Sequence, residues 1–438
     1  MAGNEFDGQL CDALMGILGG GAHDLASIAL ALNKVNVSPP EGQSWTEDLL
    51  REQLRRRAQT PEKFPSPVMV HADYDAADDA EAGRSGGAPT PRNVEERTEY
   101  LLRNGLRNQW YCIAASSEVT NKPLGIKRLG ERLVLWRDQQ GKVRALEDRC
   151  PHRAVALSLG EVQDGVLACA YHGVQVDGSG RVVRVPALAD CPLEGRKLLR
   201  SYPIVEHYQG IWAYFGDEKH PAPPPLELPE ELASTEWSGM IHFDTWVTDY
   251  RYIYDNLSDP MHGPYLHAQS YTLSGGSRTD QVVVQKTAQG FSTVRVGQKR
   301  GNIDLLEFVD NASIYYTRVE VPLPPTAGPG DLMRIIFYVT PMEENRTRIH
   351  AWRLRKVSGW QRDLWHFLFN QRIRNHTNSV LEQDKRALSG IPAWPAAENF
   401  YQHDLGVVRV RKYLRDAAQS QAREYFREEE PEAQVARN

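Results

Sequence analysis

Two short pairs of cysteine and histidine restrict the possible folds of this chain more than any other feature of its sequence. Cys150 and His152 form a Cys-x-His pair, and after sixteen residues Cys169 and His172 form a Cys-x-x-His pair. Each pair has the reach of one tight loop, so a shared metal centre requires a fold that brings the two loops together. The chain has five cysteines, which are too few and odd in number for a disulfide framework. Metal binding is therefore the better interpretation.

The distribution of the four candidate ligands favours iron over zinc. Zinc fingers usually place both cysteines in one pair and both histidines in the other, whereas each pair here holds one of each. A [2Fe–2S] cluster in which two thiolates bind one iron and two imidazoles bind the other uses this division, because each loop then supplies one ligand to each iron. Structural zinc is the alternative.

The stretch that begins with "CPHR" and ends with "CAYHG" resembles the motif of Rieske domains. The resemblance implies that Cys150 and Cys169 bind one iron of a [2Fe–2S] cluster and that His152 and His172 bind the other. Cys191 lies outside the motif, and we expect it to be a small buried residue.

Further along the chain, "DNLSDPMHGPYLH" contains a second candidate metal site. His262 and His267 lie close to carboxylates, as in the arrangement of two histidines and one carboxylate that leaves open positions on Fe(II). Together with the upstream motif, this stretch resembles the mononuclear iron motif of the Rieske non-heme iron oxygenases. Asn256, Asp259, His262 and His267 occupy the positions of that motif.

The resemblance also implies a third iron ligand and an electron-transfer residue. The ligand is expected to be a carboxylate on a long downstream helix, and Asp384 in "SVLEQDKRAL" matches its position, with Glu382 as the rival. In this family, neighbouring subunits bring the cluster of one chain beside the iron of the next. Asp259 is expected to bridge the two centres by accepting hydrogen bonds from His172 across the interface and from His262 on its own side.

The resemblance covers about residues 100–420 and implies an α+β fold. It predicts an all-β Rieske [2Fe–2S] domain and a helix-grip-like (START-like) catalytic domain, which has an antiparallel sheet and a long C-terminal helix. Helical periodicity near the start of the chain adds a helical N-terminal extension. The predicted segments are the extension at 1–60, an acidic, Gly/Pro-containing flexible linker at 61–95, the Rieske domain at 96–222, the mononuclear iron catalytic domain at 235–420 and a charged tail at 421–438.

Local patterns predict individual elements of this fold. "RLVLWRDQQGKVRALED" and "GVQVDGSGRVVRV" are typical of β-hairpins with turns at residues 138–141 and 177–180, and "GIWAYFG" of a buried strand. Five further strand patterns lie between residues 281 and 357. The stretch from Gly359 to Gly390 has the length and period of one long amphipathic helix.

The stretch "IALALNKVNVSPPEGQSWTEDLLREQL" in the extension resembles the small helical module of serine recombinases. One interpretation of this module is DNA binding, and the other is a helical docking or oligomer-contact segment. A net charge of −6 gives the chain no strong attraction for nucleic acid. Docking is therefore the expectation, and a nucleic-acid partner is not expected.

Among Rieske oxygenases, the chain is most similar to the homotrimeric phthalate, vanillate O-demethylase and dicamba types. We expect a terminal oxygenase that uses O2 and two externally supplied electrons to hydroxylate an aromatic substrate, in particular an aromatic acid, at a mononuclear Fe(II). The alternatives are O- or N-demethylation by an enzyme of the same family, and a Rieske electron-transfer protein without oxygenase activity.

The sequence also predicts partners and a location. It contains no flavin or dinucleotide motif, which predicts a separate NAD(P)H-dependent reductase, with or without a ferredoxin. The expected assembly is a homotrimer or stacked trimers. No apolar run is long enough to span a membrane, and a cytoplasmic location is expected. The pocket walls are expected between Gln281 and Val357 and near Phe367 to Arg374, and Arg278, Arg295 or Arg372 is the candidate to bind a substrate carboxylate.

Overall fold

The computed structural model describes residues 2–35, 37–40, 42, 44–58, 91–217, 222–270, 279–297, 305–311 and 314–427. Most of the predicted linker at 61–95, and the last part of the predicted tail, lie outside these residues. Within them, a group of N-terminal helices, an all-β domain and a mixed domain follow one another along the chain. The predicted α+β fold is confirmed.

Three helices form the N-terminal extension: α1 (Ala2–Gly19), α2 (Leu25–Leu32) and α3 (Glu47–Ala58). The side chain of Asp24 caps α2 by accepting a hydrogen bond from the Ser27 backbone N–H at 2.8 Å. The predicted helical character of the extension is confirmed. Because α2 and α3 are separated by residues 33–46, their connection is much longer than the three- or four-residue turn of DNA-binding helix-turn-helix motifs.

Helix α4 (Val94–Asn104) begins inside the segment that composition predicts as a linker. The side chain of Asn93 accepts a hydrogen bond from the Glu96 N–H at 2.9 Å, which satisfies one of the free donors at the helix start. The negative charges of Glu95 and Glu96 in the first turn interact favourably with the positive end of the helix dipole. The acidic residues at the end of this segment therefore belong to a helix rather than to the linker.

Ten short strands build the all-β domain, in three antiparallel sheets of order β1-β10-β9, β2-β3-β4 and β5-β6-β7-β8. Both predicted hairpins are present, as β3–β4 and β7–β8, with Gly141 and Gly180 at positive φ in their turns. The strands are β1 (Gln109–Ala115), β2 (Leu124–Arg128), β3 (Glu131–Arg137), β4 (Val143–Glu147), β5 (Glu161–Gln163), β6 (Val166–Ala168), β7 (Gln175–Val176), β8 (Val182–Arg184), β9 (Ile204–His207) and β10 (Gly210–Phe215).

A seven-stranded antiparallel sheet of order β11-β17-β16-β15-β14-β13-β12 forms the centre of the mixed domain. The five predicted strands are part of it. Its strands are β11 (Trp237–Trp246), β12 (Val282–Thr287), β13 (Gly290–Arg295), β14 (Leu305–Asp310), β15 (Tyr315–Pro322), β16 (Leu332–Glu343) and β17 (Arg346–Lys356).

Six helices accompany this sheet: α5 (Glu230–Ala233), α6 (Tyr250–Asn256), α7 (Gly263–Leu266), α8 (Gly359–Leu368), α9 (Arg374–Leu388) and α10 (Leu405–Arg427). The single long helix predicted after β17 is two helices, because a π-helical turn at Phe369–Ile373 separates α8 from α9. Helix α10 continues as far as Arg427 and so includes the start of the segment predicted as a charged tail. Within the described residues, no helix combines the length and the apolar character needed to cross a membrane.

Strand β17 joins the two domains because its alternate side chains face opposite sides of the sheet. Trp352 and Leu354 belong to an apolar cluster that also contains Trp110 of β1 and Trp212 of β10. The rings of Trp212 and Trp352 stack with their centroids 5.5 Å apart. Ile349 and Ala351, on the other face, pack in the core beneath the helices of the mixed domain. The sheet is therefore buried on both faces.

The N-terminal extension packs on the mixed domain of its own chain. Leu364, Phe367 and Leu368 of α8 complete the apolar core formed by α1, α2 and α3. At the edge of this contact, Arg372 forms an ion pair with Asp12 of α1 at 2.8 Å. The structure thus supports the docking interpretation of the extension.

Candidate metal centres and substrate pocket

Two loops with the same backbone geometry carry the four cluster residues. The Cys150 N–H donates to the Val155 carbonyl at 2.8 Å, and the Cys169 N–H donates to the Val174 carbonyl at 2.9 Å. In each loop, the residue four positions after the cysteine donates back to the cysteine carbonyl, and that residue, Ala154 or Gly173, has a φ near +60° (+60° and +68°). Two equivalent tight loops therefore present one cysteine and one histidine each.

The loops bring like ligand types together. Both thiols are buried, with 3% exposure for Cys150 and for Cys169, and burial together with the adjacent Cys169 thiol raises the pKa of Cys150. The rings of His152 and His172 lie with their centroids 4.7 Å apart, and His152 is exposed. A paired set of inner sulfurs and outer imidazoles fits the donor set of a Rieske cluster. Cys191 is buried and free, as expected.

The second candidate centre gathers His262, His267 and Asp384. One ligand atom from each of these residues lies within 4.8 Å of the others. Oδ1 of Asp384 is 3.5 Å from Nε2 of His262 and 3.1 Å from Nε2 of His267. Asp384 and His267 are buried, whereas the rival Glu382 is exposed on the same helix. The geometry therefore favours Asp384 as the third member of the group.

Hydrogen bonds hold both imidazoles with Nε2 directed at the candidate metal position. The Nδ1 of His262 is 2.7 Å from the Asp259 carbonyl oxygen, and the Nδ1 of His267 is 2.8 Å from Oε1 of Gln383. Since these oxygens accept hydrogen bonds, Nδ1 carries the proton in each ring and Nε2 is left as the metal-binding atom. Two such nitrogens and a carboxylate oxygen fit the ligand set of mononuclear non-heme Fe(II).

The electrostatics of the second centre also favour a cation. Burial alone would lower the pKa of His262, but the carboxylates of Asp259 and Asp384 outweigh it and raise that pKa. Asn256 donates from Nδ2 to Oδ1 of Asp384 at 3.1 Å, so the amide orients the carboxylate. Asp255, the other acidic residue of the motif region, is directed away and forms a salt bridge with Arg411.

Asp259 lies at the turn that follows α6. Its Oδ1 accepts from the Met261 N–H at 2.7 Å, and its Oδ2 is 3.7 Å from Nδ1 of His262. The carboxylate is partly exposed, and it contributes, after burial and Asp404, to raising the pKa of the exposed Tyr401. Asp259 is therefore in contact with a histidine of the second candidate centre on one side and close to the protein surface on the other.

A cavity of about 110 Å³ lies beside the second centre and is lined by His262, His267 and Asp384. This size is comparable with an engineered cavity of about 150 Å³ that binds benzene. The sheet supplies an apolar wall, as predicted. The helix wall begins at Ile373 and continues through α9, so the predicted wall at Phe367 to Arg374 is displaced toward the chain start. The apolar sheet residues of the cavity are Trp246, Leu306, Val319, Val321, Met333, Ile335, Phe337 and Ile349.

Two of the three arginines predicted to bind a substrate carboxylate do not line the cavity. Arg372 is paired with Asp12 on the outer side of the helix, and Arg295 is 3.8 Å from Asp280; neither lines the cavity. Arg278 lies outside the described residues. The arginine in the cavity wall is Arg353 of β17. Its signal in the sequence was the alternation of "TRIHAWRLRKV", which puts Arg353 on the same face as Ile349.

Comparison with protein families divides the chain into three matched parts. Residues 109–203 match the Rieske [2Fe-2S] domain, and residues 246–420 match the vanillate O-demethylase oxygenase C-terminal domain. Residues 2–59 match a recombinase-like helix-turn-helix domain, in agreement with the resemblance of the extension. The two candidate metal centres lie within the first two matches.

Two of the curated relatives that the chain resembles are named as bacterial oxygenase components. The chain is 34% identical over 191 residues to the vanillate O-demethylase oxygenase subunit of Pseudomonas sp. strain HR199, which covers 43% of this chain and 51% of the relative. It is 34% identical over 182 residues to the oxygenase component of dicamba O-demethylase from Stenotrophomonas maltophilia, covering 41% and 52%. The chain thus spans about half the length of these relatives.

Two solved structures have the same fold over most of this chain. Dicamba monooxygenase bound to dicamba aligns with 72% of this chain and 98% of its own length, with a TM-score of 0.56 and 23% identity. NdmA of Pseudomonas putida with caffeine aligns with 74% and 96%, with a TM-score of 0.57 and 19% identity. At these identities, the likeness concerns the fold.

Proposed function

The chain carries the two domains of a Rieske oxygenase subunit, and from this premise we propose that it is the terminal oxygenase of a multicomponent system. In the proposed reaction, O2 and two electrons from a partner hydroxylate an aromatic substrate. The observation that carries the proposal is the convergence of His262, His267 and Asp384 at the wall of an apolar cavity. A domain that only relays electrons would have no use for such a cavity beside a second metal group.

The roles proposed for the site residues follow from their contacts. Cys150, Cys169, His152 and His172 hold the [2Fe–2S] cluster, and His262, His267 and Asp384 hold the mononuclear Fe(II), whose open positions supply O2 activation. Asn256 keeps the Asp384 carboxylate turned toward the metal by donating to Oδ1 at 3.1 Å.

The cavity has its own part in the proposed reaction. Its apolar strand side chains exclude water and hold an aromatic ring against the iron site. The metal group occupies only one part of the cavity wall. The orientation of the substrate ring in the cavity therefore decides which carbon lies nearest the metal and is hydroxylated. The substrate class is therefore set by the remaining lining residues.

For electron delivery, we propose the assembly in which the cluster of one subunit faces the iron of the next. The exposed Tyr171 ring lies against His172, with centroids 4.0 Å apart. The exposed Tyr401 is within electrostatic range of both Asp259 and the exposed Tyr265. Exposed aromatic side chains beside both centres support a contact between copies, since such residues are enriched in protein interfaces. In a homotrimer, three such head-to-tail contacts form a closed ring.

The bridging role proposed for Asp259 is tested with Asp259→Asn. The amide keeps the volume of the side chain but removes the charge that would hold an imidazole of the neighbouring cluster. We expect both metal centres to remain filled. When O2 and substrate are present, oxidation of the reduced cluster should slow by at least about 10-fold. Unchanged single-turnover kinetics of the cluster would refute the bridge.

Oxidative demethylation is the second candidate, because the catalytic domain matches that of vanillate O-demethylase and relatives carry the demethylase name. Hydroxylation of a methoxy or N-methyl carbon gives an unstable product that releases formaldehyde. The same site therefore serves both reactions, and the substrate carbon nearest the iron decides between them.

One experiment separates these activities and the relay alternative. The purified chain is supplied with a surrogate reductase, NADH, O2 and a panel of aromatic acids with and without methoxy groups. Ring-hydroxylated product supports hydroxylation, and formaldehyde supports demethylation. If NADH is consumed and neither product forms with any substrate, the electron-transfer alternative is favoured. A separate reductase and a cytoplasmic location complete the proposal.

A further inference from the structure

A buried cation lies in the wall of the candidate substrate cavity. Arg353 of β17 is 2% exposed, and it lines the same cavity as His267 and Asp384. The rest of that wall is largely apolar. Burial lowers the pKa of Arg353 to about 9, so its guanidinium is charged at neutral pH. This part of the cavity therefore combines a positive charge with an environment that solvates it poorly.

The hydrogen bonds of Arg353 are incomplete along one edge. Its Nη1 donates to Oδ1 of Asn378 at 2.7 Å. Its Nε and Nη2 have no hydrogen-bond partner among the described residues, and none of the salt bridges within those residues includes Arg353. The guanidinium carbon also lies 5.8 Å from the centre of the Phe369 ring.

The incomplete edge is one with which several arginines in this chain bind carboxylates. Arg251 donates from Nε and Nη2 to the two oxygens of Asp249, both at 2.8 Å. Arg372 uses the same two nitrogens on Asp12, at 2.9 and 2.8 Å. The Nε–Nη2 edge matches the spacing of two oxygens on one anionic group.

Arg355, two positions further along β17, shows what a purely structural arginine looks like here. It is equally buried, but its Nη1 and Nη2 donate to the carbonyls of Ala327 and Gly328 at 2.6 and 2.9 Å. It does not line the cavity. The strand therefore accommodates buried arginines. Arg353 differs because it lines the cavity and leaves both Nε and Nη2 without an acceptor among the described residues, whereas Arg355 leaves only Nε without one.

We propose that Arg353 determines substrate specificity by binding a carboxylate or sulfonate group on a single aromatic ring. The two oxygens of the anion accept from Nε and Nη2, while the ring lies between the apolar strands and the metal group. This inference rests on the proposed function, since it assigns the charge of the substrate for the same cavity. The apolar wall accounts for the ring, and the cation accounts for the charge.

Binding to the full-length, iron-loaded protein tests the inference without turnover. The probes are 4-methoxybenzoate, 4-methoxybenzenesulfonate and the neutral 4-methoxybenzamide, titrated by calorimetry. We expect the wild type to bind the anions more tightly than the amide. In Arg353→Met, the affinity for the anions should fall about 10- to 100-fold, the loss expected for charge-assisted hydrogen bonds, with little change for the amide.

Two further variants separate recognition from folding. Arg353→Lys keeps the charge without the two-pronged geometry, so it should retain a weaker preference for anions. Arg355→Met, the matched control on the same strand, should lose stability while keeping the full preference. A wild type that does not prefer the anions, or an Arg353→Met protein that keeps the preference, would overturn the inference.

Failure of this inference is distinguishable from failure of the proposed function. Anion-selective binding that depends on Arg353 but leads to no product with a reductase would refute the oxygenase and leave the recognition site. Turnover of neutral aromatic substrates with no anion preference would support the oxygenase and refute the recognition site.

Discussion

The two candidate metal centres differ in how they are built. The cluster loops carry all four ligands between Cys150 and His172, and each loop is closed by its own backbone hydrogen bonds. The mononuclear group depends on residues as far apart as Asn256 and Asp384, 128 positions along the chain. The first centre is therefore local in the sequence, whereas the second depends on the packing of α6 and α9 against one sheet.

The two centres should therefore differ in their sensitivity to substitutions elsewhere in the chain. A site closed by local loops tolerates changes elsewhere in the chain, because its ligands keep their positions relative to one another. A site assembled from distant elements is lost when one element shifts, since metal ligation requires positions within a few tenths of an ångström. Changes in the catalytic domain should consequently remove the mononuclear iron and leave the cluster.

Asp384→Ala should have the largest effect of the variants that distinguish the two centres. Among the described residues, it removes the only carboxylate that the geometry brings to both histidines. We expect product formation to fall by more than about 100-fold, beyond the loss typical of an outer hydrogen-bond partner. The visible absorption of the cluster should be unchanged. Glu382→Ala, the matched control on the exposed face of α9, should retain activity. Loss of activity in the control alone would move the ligand to Glu382.

Asn256→Ala tests whether orientation of the carboxylate matters. The variant leaves Asp384 without the amide that donates at 3.1 Å, and losses of about 10- to 100-fold in metal affinity are typical for such changes. The measurement is Fe(II) release to a chelator, which needs no substrate. Release at the wild-type rate would show that the packing of α9 alone positions the carboxylate.

Gly406→Ala tests the contact that holds the Asp259 turn. A Cβ at position 406 of α10 would lie 2.2 Å from the Ser258 carbonyl oxygen, so helix and turn must separate. We expect the free energy of unfolding to fall by about 1–3 kcal/mol. Gly16→Ala, the control, adds a Cβ that meets nothing within 4 Å on an exposed helix position and should stabilise by about 0.5–1 kcal/mol. Equal urea midpoints for both variants would contradict the contact.

His242 predicts a dependence of stability on pH, which develops only as the solution becomes acidic. Burial, and next the charge of Arg353, lower the pKa of His242 to about 4. Asp244 opposes this shift, and Arg348 and Lys385 add to it in smaller measure. Above pH 6.5 the ring is neutral in both the folded and the unfolded state, and its contribution to stability is complete. As the pH falls from 6.5 to 4, the unfolded state binds a proton that the folded state does not, so stability declines by about 2 kcal/mol.

The control for this effect is His242→Gln, which cannot titrate. His350 on β17 also has a pKa well below its usual range because of burial, and it acts in the same direction in both proteins. Urea unfolding at pH 7.5 and pH 5 should therefore show a smaller difference in the variant than in the wild type. The same difference in both proteins would refute the assignment.

The sequence predicted the local features of the molecule better than those that depend on distant contacts. Both metal motifs, the two hairpins and five of the seven strands of the mixed-domain sheet were predictable, because spacing and alternation are local properties. Selection of Asp384 over Glu382 needed the resemblance to a family, since both carboxylates lie on one helix. The structure separates them by burial, which depends on packing.

Features that depend on distant contacts were not predictable in this way. The π turn at Phe369–Ile373 interrupts a helix with an unbroken helical pattern. Arg372 was a reasonable candidate for a ligand until Asp12, 360 positions away, was found beside it. Arg353 was missed because nothing in its own strand pattern distinguishes it from Arg355, whose donors meet the carbonyls of a distant loop.

The ratio of iron to acid-labile sulfide in the purified, metal-loaded protein tests the central claim most directly. Two separate centres in one chain predict about three irons for about two sulfides, with the ratio falling to about one in Asp384→Ala. A wild-type protein with equal amounts of iron and sulfide would contradict the account, because the cluster would then be its only metal centre.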